Sequence, residues 1–305
     1  MPDLLARFQG CLLGLASGDA VGTTVEFRPK DSFTPLTTMQ GGGPFNLKVG
    51  QWTDDTSMAL CLAQSLVTCQ GFDAKDQMNR YLNWWRWGYF SSTGECFDIG
   101  GTVARALGKF ALDGDPWAGS QAPDTAGNGS LMRLAPAVLY YWPDRAQAIH
   151  YAEASSRTTH AAPEAVASCR LFAQYLLNAL SGKDKAAILT DIDELPAQPA
   201  LLEIARGSYR QKPRSAIHGT GYCVQSLEAA LWCFYHGEDF EQTILLAANL
   251  GDDADTTAAI VGQLAGAFYG VDGIPSAWRE KLWQYDDIDA LAQQLFSGAN
   301  SAVQR

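Results

Sequence analysis

Residues 4–18 read Leu4-Leu5-Ala6-Arg7-Phe8-Gln9-Gly10-Cys11-Leu12-Leu13-Gly14-Leu15-Ala16-Ser17-Gly18, and their period is helical. Leu4, Leu5, Phe8, Leu12 and Leu15 share one face, which predicts an opening helix ending near Gly18. Small residues recur on the same stretch every four positions, at Ala6, Gly10, Gly14 and Gly18. Ala258, Gly262, Gly266 and Gly270 repeat that spacing near the other end. A glycine in a helix interior costs about 1 kcal/mol relative to alanine. A regular series therefore points to smooth ridges where helices approach closely. Either the two segments pack on each other in one core, or each meets a different helix. Glycines that merely fit small spaces give the same pattern.

Outward from this stretch, helical periodicity continues. Met58, Leu62 and Leu66 follow Trp52-Thr53-Asp54-Asp55, and further helices are expected over 131–140, 166–180, 224–235, 240–250 and 257–269. Runs of alternating β-branched residues are nearly absent, so the expectation is an all-α fold. Loops rich in Gly, Pro, Asp and Ser fall at 28–50, 113–128, 181–199 and 211–221, and none reads as an inter-domain linker. The chain of 305 residues is accordingly read as one domain, 1–305.

Composition narrows the function. With 47% hydrophobic and 18% charged residues the chain is globular. A formal charge of -11 argues against sequence-independent nucleic-acid binding and against docking on an anionic membrane. The seven cysteines are odd in number and lack zinc-ligand spacing. The N-terminus lacks a basic start with a long apolar run, and no stretch reaches membrane-spanning length, so the expected compartment is the cytoplasm.

Two acidic clusters carry the chemistry. Trp52-Thr53-Asp54-Asp55-Thr56-Ser57 stands directly before a helical pattern, where one Thr or Asp would suffice as N-cap. Two adjacent carboxylates flanked by hydroxyls exceed that need and repel each other unless a cation lies between them. Gly251-Asp252-Asp253-Ala254-Asp255-Thr256-Thr257 repeats this chemistry about 200 residues later, again opening a helix. Alone, such a cluster is more often a solvated helix start than a metal site. Together they point to metal. Every donor is a hard oxygen and the four histidines are scattered, which favours magnesium or manganese over zinc. An EF-hand fails, because its sixth position would be Ala258 and its twelfth Leu264.

Around these clusters the sequence resembles the ADP-ribosylglycohydrolases from about Phe8 to Gly270. The matching blocks are 14–22 leading to Glu26, 50–56, Phe97-Asp98-Ile99-Gly100, and Gly127-Asn128-Gly129-Ser130-Leu131-Met132-Arg133. Thr159-His160, Gly221-Tyr222 and 251–256 complete them. The resemblance implies a compact, orthogonal all-α multi-helix bundle holding two divalent cations, Mg2+ or Mn2+. Thr53, Asp54 and Asp55 would supply ligands from one side, and Asp253, Asp255 and Thr256 from the other. The implied substrate is ADP-ribose attached to a protein side chain.

Further roles follow from the same resemblance. Glu26 matches a mobile-loop glutamate and is assigned to positioning or deprotonating the attacking water, with Asp54 or Asp55 sharing the general-base role. Asp98 is a partner for the guanidinium of a modified arginine, a carboxylate being its bidentate match; an N-cap for the next helix is the competing reading. Gly127, Asn128, Gly129 and Ser130 suit a diphosphate cradle at a helix start. Met132, His160 and Tyr222 are ligand contacts, each with ordinary core packing as its alternative. The expected function is hydrolysis of arginine-linked ADP-ribose on a modified protein. Serine-linked or other O-linked ADP-ribose, free ADP-ribose derivatives, phosphate-ester hydrolysis, and a non-catalytic ADP-ribose binder are the rivals.

Overall fold

The computed structural model describes residues 2–303, with side chains through Ala299; Met1, Gln304 and Arg305 of the expected 1–305 domain lie outside the described residues. The first seven α-helices are α1 (Leu4–Gly22), α2 (Asp54–Cys69), α3 (Ala74–Trp87), α4 (Gly101–Asp113), α5 (Ala135–Tyr141), α6 (Arg145–Arg157) and α7 (Pro163–Leu180). The others are α8 (Lys185–Thr190), α9 (Pro199–Ala205), α10 (Cys223–His236), α11 (Phe240–Ala248), α12 (Ala254–Tyr269), α13 (Ser276–Arg279) and α14 (Tyr285–Val303). Among the described residues there is no β-sheet, only three isolated bridges. None of these helices is long and apolar enough to cross a membrane.

The two glycine series pack on each other. A Cβ built at Gly10, Gly14 or Gly18 would overlap the carbonyl oxygen of Gly266, Gly262 or Ala258 respectively. Cβ atoms at Gly262 and Gly266 would overlap the carbonyls of Gly14 and Gly10 in return. Residue numbers rise on one helix as they fall on the other, so α1 and α12 are antiparallel with their backbones in contact. Close approach over this length offsets the propensity cost of the glycines by packing backbone against backbone. Gly270 differs from the rest of its series: it terminates α12 with φ 73°, a conformation that glycine adopts without strain.

The opening helix runs past Gly18 to Gly22, which continues the seam against Ala254. From Phe8 onward α1 is buried on nearly every side, hence its weak amphipathicity. Two boundaries depart from expectation. The expected helix over 131–140 begins at Ala135, after a turn through Leu134, so the Gly127–Ser130 turn does not open it directly. The expected loop at 181–199 contains α8, capped by the Asp184 carboxylate on the Ala187 N–H and anchored by buried Ile188 and Leu189. Six residues are too few for a periodic signal.

Candidate active site

The antiparallel seam places the C-terminal end of α1 beside the N-terminus of α12, and α2 starts at the same point. Asp19 on α1 is fully buried and accepts four hydrogen bonds. Its Oδ1 takes the Thr53 N–H and hydroxyl, both at 2.9 Å, and its Oδ2 takes the Thr56 N–H at 3.0 Å and hydroxyl at 2.6 Å. Asp19 thus caps α2 from a different helix. Thr53 itself makes no capping bond, and the α2 acids are left free.

The Thr53 hydroxyl lies 2.9 Å from Asp19 Oδ1, 3.1 Å from Asp55 Oδ2 and 3.2 Å from Asp255 Oδ2. A hydroxyl has one proton, so it satisfies one of these three oxygens. Asp55 Oδ1 and Asp255 Oδ1 are buried with no hydrogen-bond partner at all. Burial and the surrounding like charges push Asp54, Asp55 and Asp255 well above the ordinary carboxylate range. Carboxylates in this state need either protons or a cation.

A divalent cation fits them. The donor set is all hard oxygen, and ligand atoms of Asp19, Asp55 and Asp255 lie within 4.8 Å of one another, as do those of Glu26, Asp98 and Asp255. Asp19 is the weakest donor of these, because both its oxygens are committed to α2. Its chemistry is to hold Thr53 in place, and burial leaves it at about 6 despite four bonds.

Above this buried floor opens a cleft of about 680 Å³, lined by Glu26, Asp54, Asp98, Asp253 and Thr256 on its acidic side. Gly127, Asn128, Gly129, Met132 and His160 form another wall. Thr53, Asp55 and Asp255 are buried beneath. The segment carrying Glu26 is tied to the loop before α12: the Phe27 N–H donates to Asp252 O and the Asp252 N–H to Arg28 O, both at 2.8 Å. Lys30 Nζ then donates to Ile217 O at 2.7 Å and Arg214 O at 3.0 Å. Burial, then the charge of Asp98, pushes Glu26 up to about 9.

Asp98 is not a helix cap. Gly100 occupies the N-cap position of α4 and makes no side-chain bond, while Asp98 sits at φ 60° and meets Glu26 and Asp54. A non-glycine residue in the left-handed region is strained, and such strain concentrates at functional sites. Burial, then Asp253, raises its carboxyl to about 7.

Asp253 is oriented by Asn128, whose Nδ2 donates to its Oδ2 at 2.7 Å and to Ser226 Oγ at 2.8 Å. Two further expected contacts have their hydroxyls engaged by neighbouring side chains. The Ser130 hydroxyl accepts from Ser156 at 2.8 Å and from the Cys169 thiol, away from the cleft lining, since residue 130 begins the turn into the core. Tyr222 is not core: it is 37% exposed, its backbone is bridged to Gly127 of the cleft wall, and its hydroxyl donates to Glu164 at 2.6 Å.

Asp19 and Gly100 fall inside the matching blocks with no role of their own, although a charged residue inside an apolar, glycine-striped helix is a usable signal. Gly101 and Thr102 join Gly100 in bringing the N-terminus of α4 to the cleft, and Phe27 is 65% exposed at its edge. Nothing in the local pattern marks Gly101, Thr102 or Phe27.

Buried oxygen donors beneath a glycine-walled cleft define an all-helical protein whose acidic floor fits divalent cations. The chain belongs to the ADP-ribosylglycohydrolase family, whose model matches residues 1–303. It is 47% identical over 296 residues to a Pseudomonas putida (strain GB-1) protein named ADP-ribosylarginine hydrolase Tri1, covering 97% of this chain and 79% of that one. A protein of the same name from Serratia proteamaculans (strain 568) is 43% identical, covering 96% and 80%. A solved structure described as an ADP-ribosylglycohydrolase-related protein complex superposes with a TM-score of 0.86 at 43% identity, covering 98% of this chain and all of that one.

Proposed function

We propose that this chain hydrolyses the N-glycosidic bond between ADP-ribose and an arginine side chain of a modified protein. The observation that carries the reading is the convergence of Asp55 and Asp255 on Thr53, each with a buried oxygen lacking a partner. Thr53, Asp54, Asp55, Asp253, Asp255 and Thr256 would hold two Mg2+ or Mn2+ ions. When bound, such ions supply Lewis acidity and a water of lowered pKa beside the ribose.

The chain's own groups do the rest. Glu26 positions the attacking water and accepts its proton, with Asp54 beside it in the cleft. Asp98 offers a carboxylate to the guanidinium leaving group, a planar pairing that a serine linkage lacks. Gly127 and Gly129 let the turn lie against the His160 ring at the cleft wall, and the N-terminus of α4 at Gly100-Gly101 presents N–H groups suited to a diphosphate. Asn128 orients Asp253. The names of the similar proteins support arginine over serine as the linkage. The seam joining α1 to α12 supports reading residues 1–305 as one domain.

The test is release of ADP-ribose from arginine- and serine-linked protein substrates, each with Mn2+ or Mg2+ and with EDTA. Release from arginine only, abolished by EDTA, is expected. Asp98→Ala should raise KM for the arginine substrate by roughly tenfold or more, the weight of a charge-assisted pair. Release from serine only would overturn the role of Asp98, and ADP-ribose binding with no release from either would make the chain a non-catalytic binder.

A further inference from the structure

Arg133 is completely buried beneath the cleft wall, and among the described residues no carboxylate forms an ion pair with it. Its Nη1 donates to Gly129 O at 3.1 Å, and its Nη2 to Ser155 O at 3.2 Å and Thr159 Oγ1 at 2.8 Å. Its guanidinium carbon stands 4.7 Å from the centre of the Tyr81 ring. Burying a cation on neutral acceptors alone is costly, so its placement calls for a reason.

The hydrogen-bond inventory supplies one. A guanidinium only donates, so the Thr159 hydroxyl accepts from Arg133 and keeps its own proton to give. Its other partner is His160 Nδ1, 2.8 Å away. Thr159 is fully buried, and among the described residues no other acceptor stands by its proton, so the hydroxyl donates to Nδ1; in a neutral imidazole the ring proton then resides on Nε2. Nε2 lies against the glycine turn that walls the cleft: a Cβ at Gly129 would stand 3.1 Å from it, and one at Gly127 3.4 Å. Burial, then the charge of Arg133, pushes His160 down to about 3, so the ring stays neutral across physiological pH.

We infer that Arg133 is a positioning residue which, through Thr159, fixes His160 as an Nε2–H donor aimed into the cleft, where it bonds a diphosphate oxygen of the bound nucleotide. The same guanidinium holds the Gly129 carbonyl, so one buried cation sets both the turn and the imidazole beside it. Any side chain at Gly129 would strike the ring, 2.7 Å from Cε1, which explains glycine there. The identity of the ligand rests on the function proposed above; the tautomer does not.

The tautomer is read from imidazole 15N chemical shifts of the full-length protein at pH 7, with the His160 signals identified by their absence in His160→Gln. Expected is Nε2–H in the wild type and in Thr159→Ser, with loss of that preference in Thr159→Val. Gln places an amide near Nε2 and Asn near Nδ1, so ADP-ribose should bind His160→Gln with near wild-type affinity. His160→Asn should bind it roughly tenfold more weakly, the weight of one hydrogen bond to a charged group. Arg133→Lys should keep the Nε2–H form, and Arg133→Met, if it folds, should lose it. A wild-type ring protonated on Nδ1 overturns the inference, as does a Thr159→Val protein that keeps Nε2–H unchanged. A wild type with Nε2–H that binds no ADP-ribose refutes the diphosphate contact and the proposed function while leaving the Arg133–Thr159 relay demonstrated.

Discussion

The N-termini of α2 and α12 carry matched acidic and hydroxyl residues, yet their side chains are released for the cleft by different means. At α2 a carboxylate from another helix, Asp19, takes over the capping bonds through Thr53 and Thr56. At α12 Asp253 caps nothing; its backbone N–H donates to Gly219 O at 2.9 Å and its carboxylate accepts from Asn128. One terminus leans on a buried charge and the other on a neutral amide. The lesson is that acids at a helix start are made available in two ways: at α2 a distant carboxylate satisfies the backbone in their place, and at α12 a distant amide orients the carboxylate itself.

Removing the acids themselves should have the largest effect. Asp55→Asn and Asp255→Asn each take one of the two unpartnered oxygens away from the point where the termini meet. Each should lower kcat/KM on arginine-linked substrate by at least about a thousandfold, since a buried group acting on the reacting centre is lost. Mn2+ binding followed by calorimetry should weaken in parallel. Equal activity in either variant would separate the two termini and end the shared-site reading.

Asp19→Ala tests the cap and comes next. Four buried donors lose their acceptor, which should cost about 2–4 kcal/mol of stability. Chemical denaturation measures this, and circular dichroism would report whether the first turn of α2 frays. A variant as stable as the wild type would mean that α2 caps itself after all.

The smallest effect is a pH slope in the metal-free protein. Glu26 at about 9 and Asp98 at about 7 hold protons in the folded state that the unfolded chain has already released near pH 4. The folded state binds more protons, so this contribution to stability is full at low pH and is lost as pH rises through 7 and then 9. His160 works the other way, but only as pH falls from 6.5 towards 3, so a window of pH 6.5–9 isolates the carboxyls. In EDTA the melting temperature should fall across that window, and Mn2+ should flatten the slope. A flat profile in EDTA would mean that the acids are relieved by something other than protons.

Much of this was legible in order along the chain. The every-fourth-residue series of Gly10, Gly14 and Gly18 and of Ala258, Gly262 and Gly266 marked two helices that need close neighbours, and the paired acids marked the site. That the series meet each other was not legible, because either could have faced a third helix. Ser130 and Tyr222 show a related limit: motif position says which loop a residue is on, not which way its side chain leaves the backbone. Asp98 reads nearly as well as a cap in the sequence, but α4 starts at Gly101 with Gly100 at its N-cap.

Residue order alone determined the helical class, the two acidic helix starts and the preference for hard, divalent cations, because periodicity and donor chemistry are properties of local sequence. Only tertiary structure decided that Asp19 caps α2, that Asp55 and Asp255 share one hydroxyl, and that a buried Arg133 orients His160. Those relations span up to 202 positions, and spacing along a chain holds no information about which backbones can approach closely enough to bring such groups within a hydrogen bond.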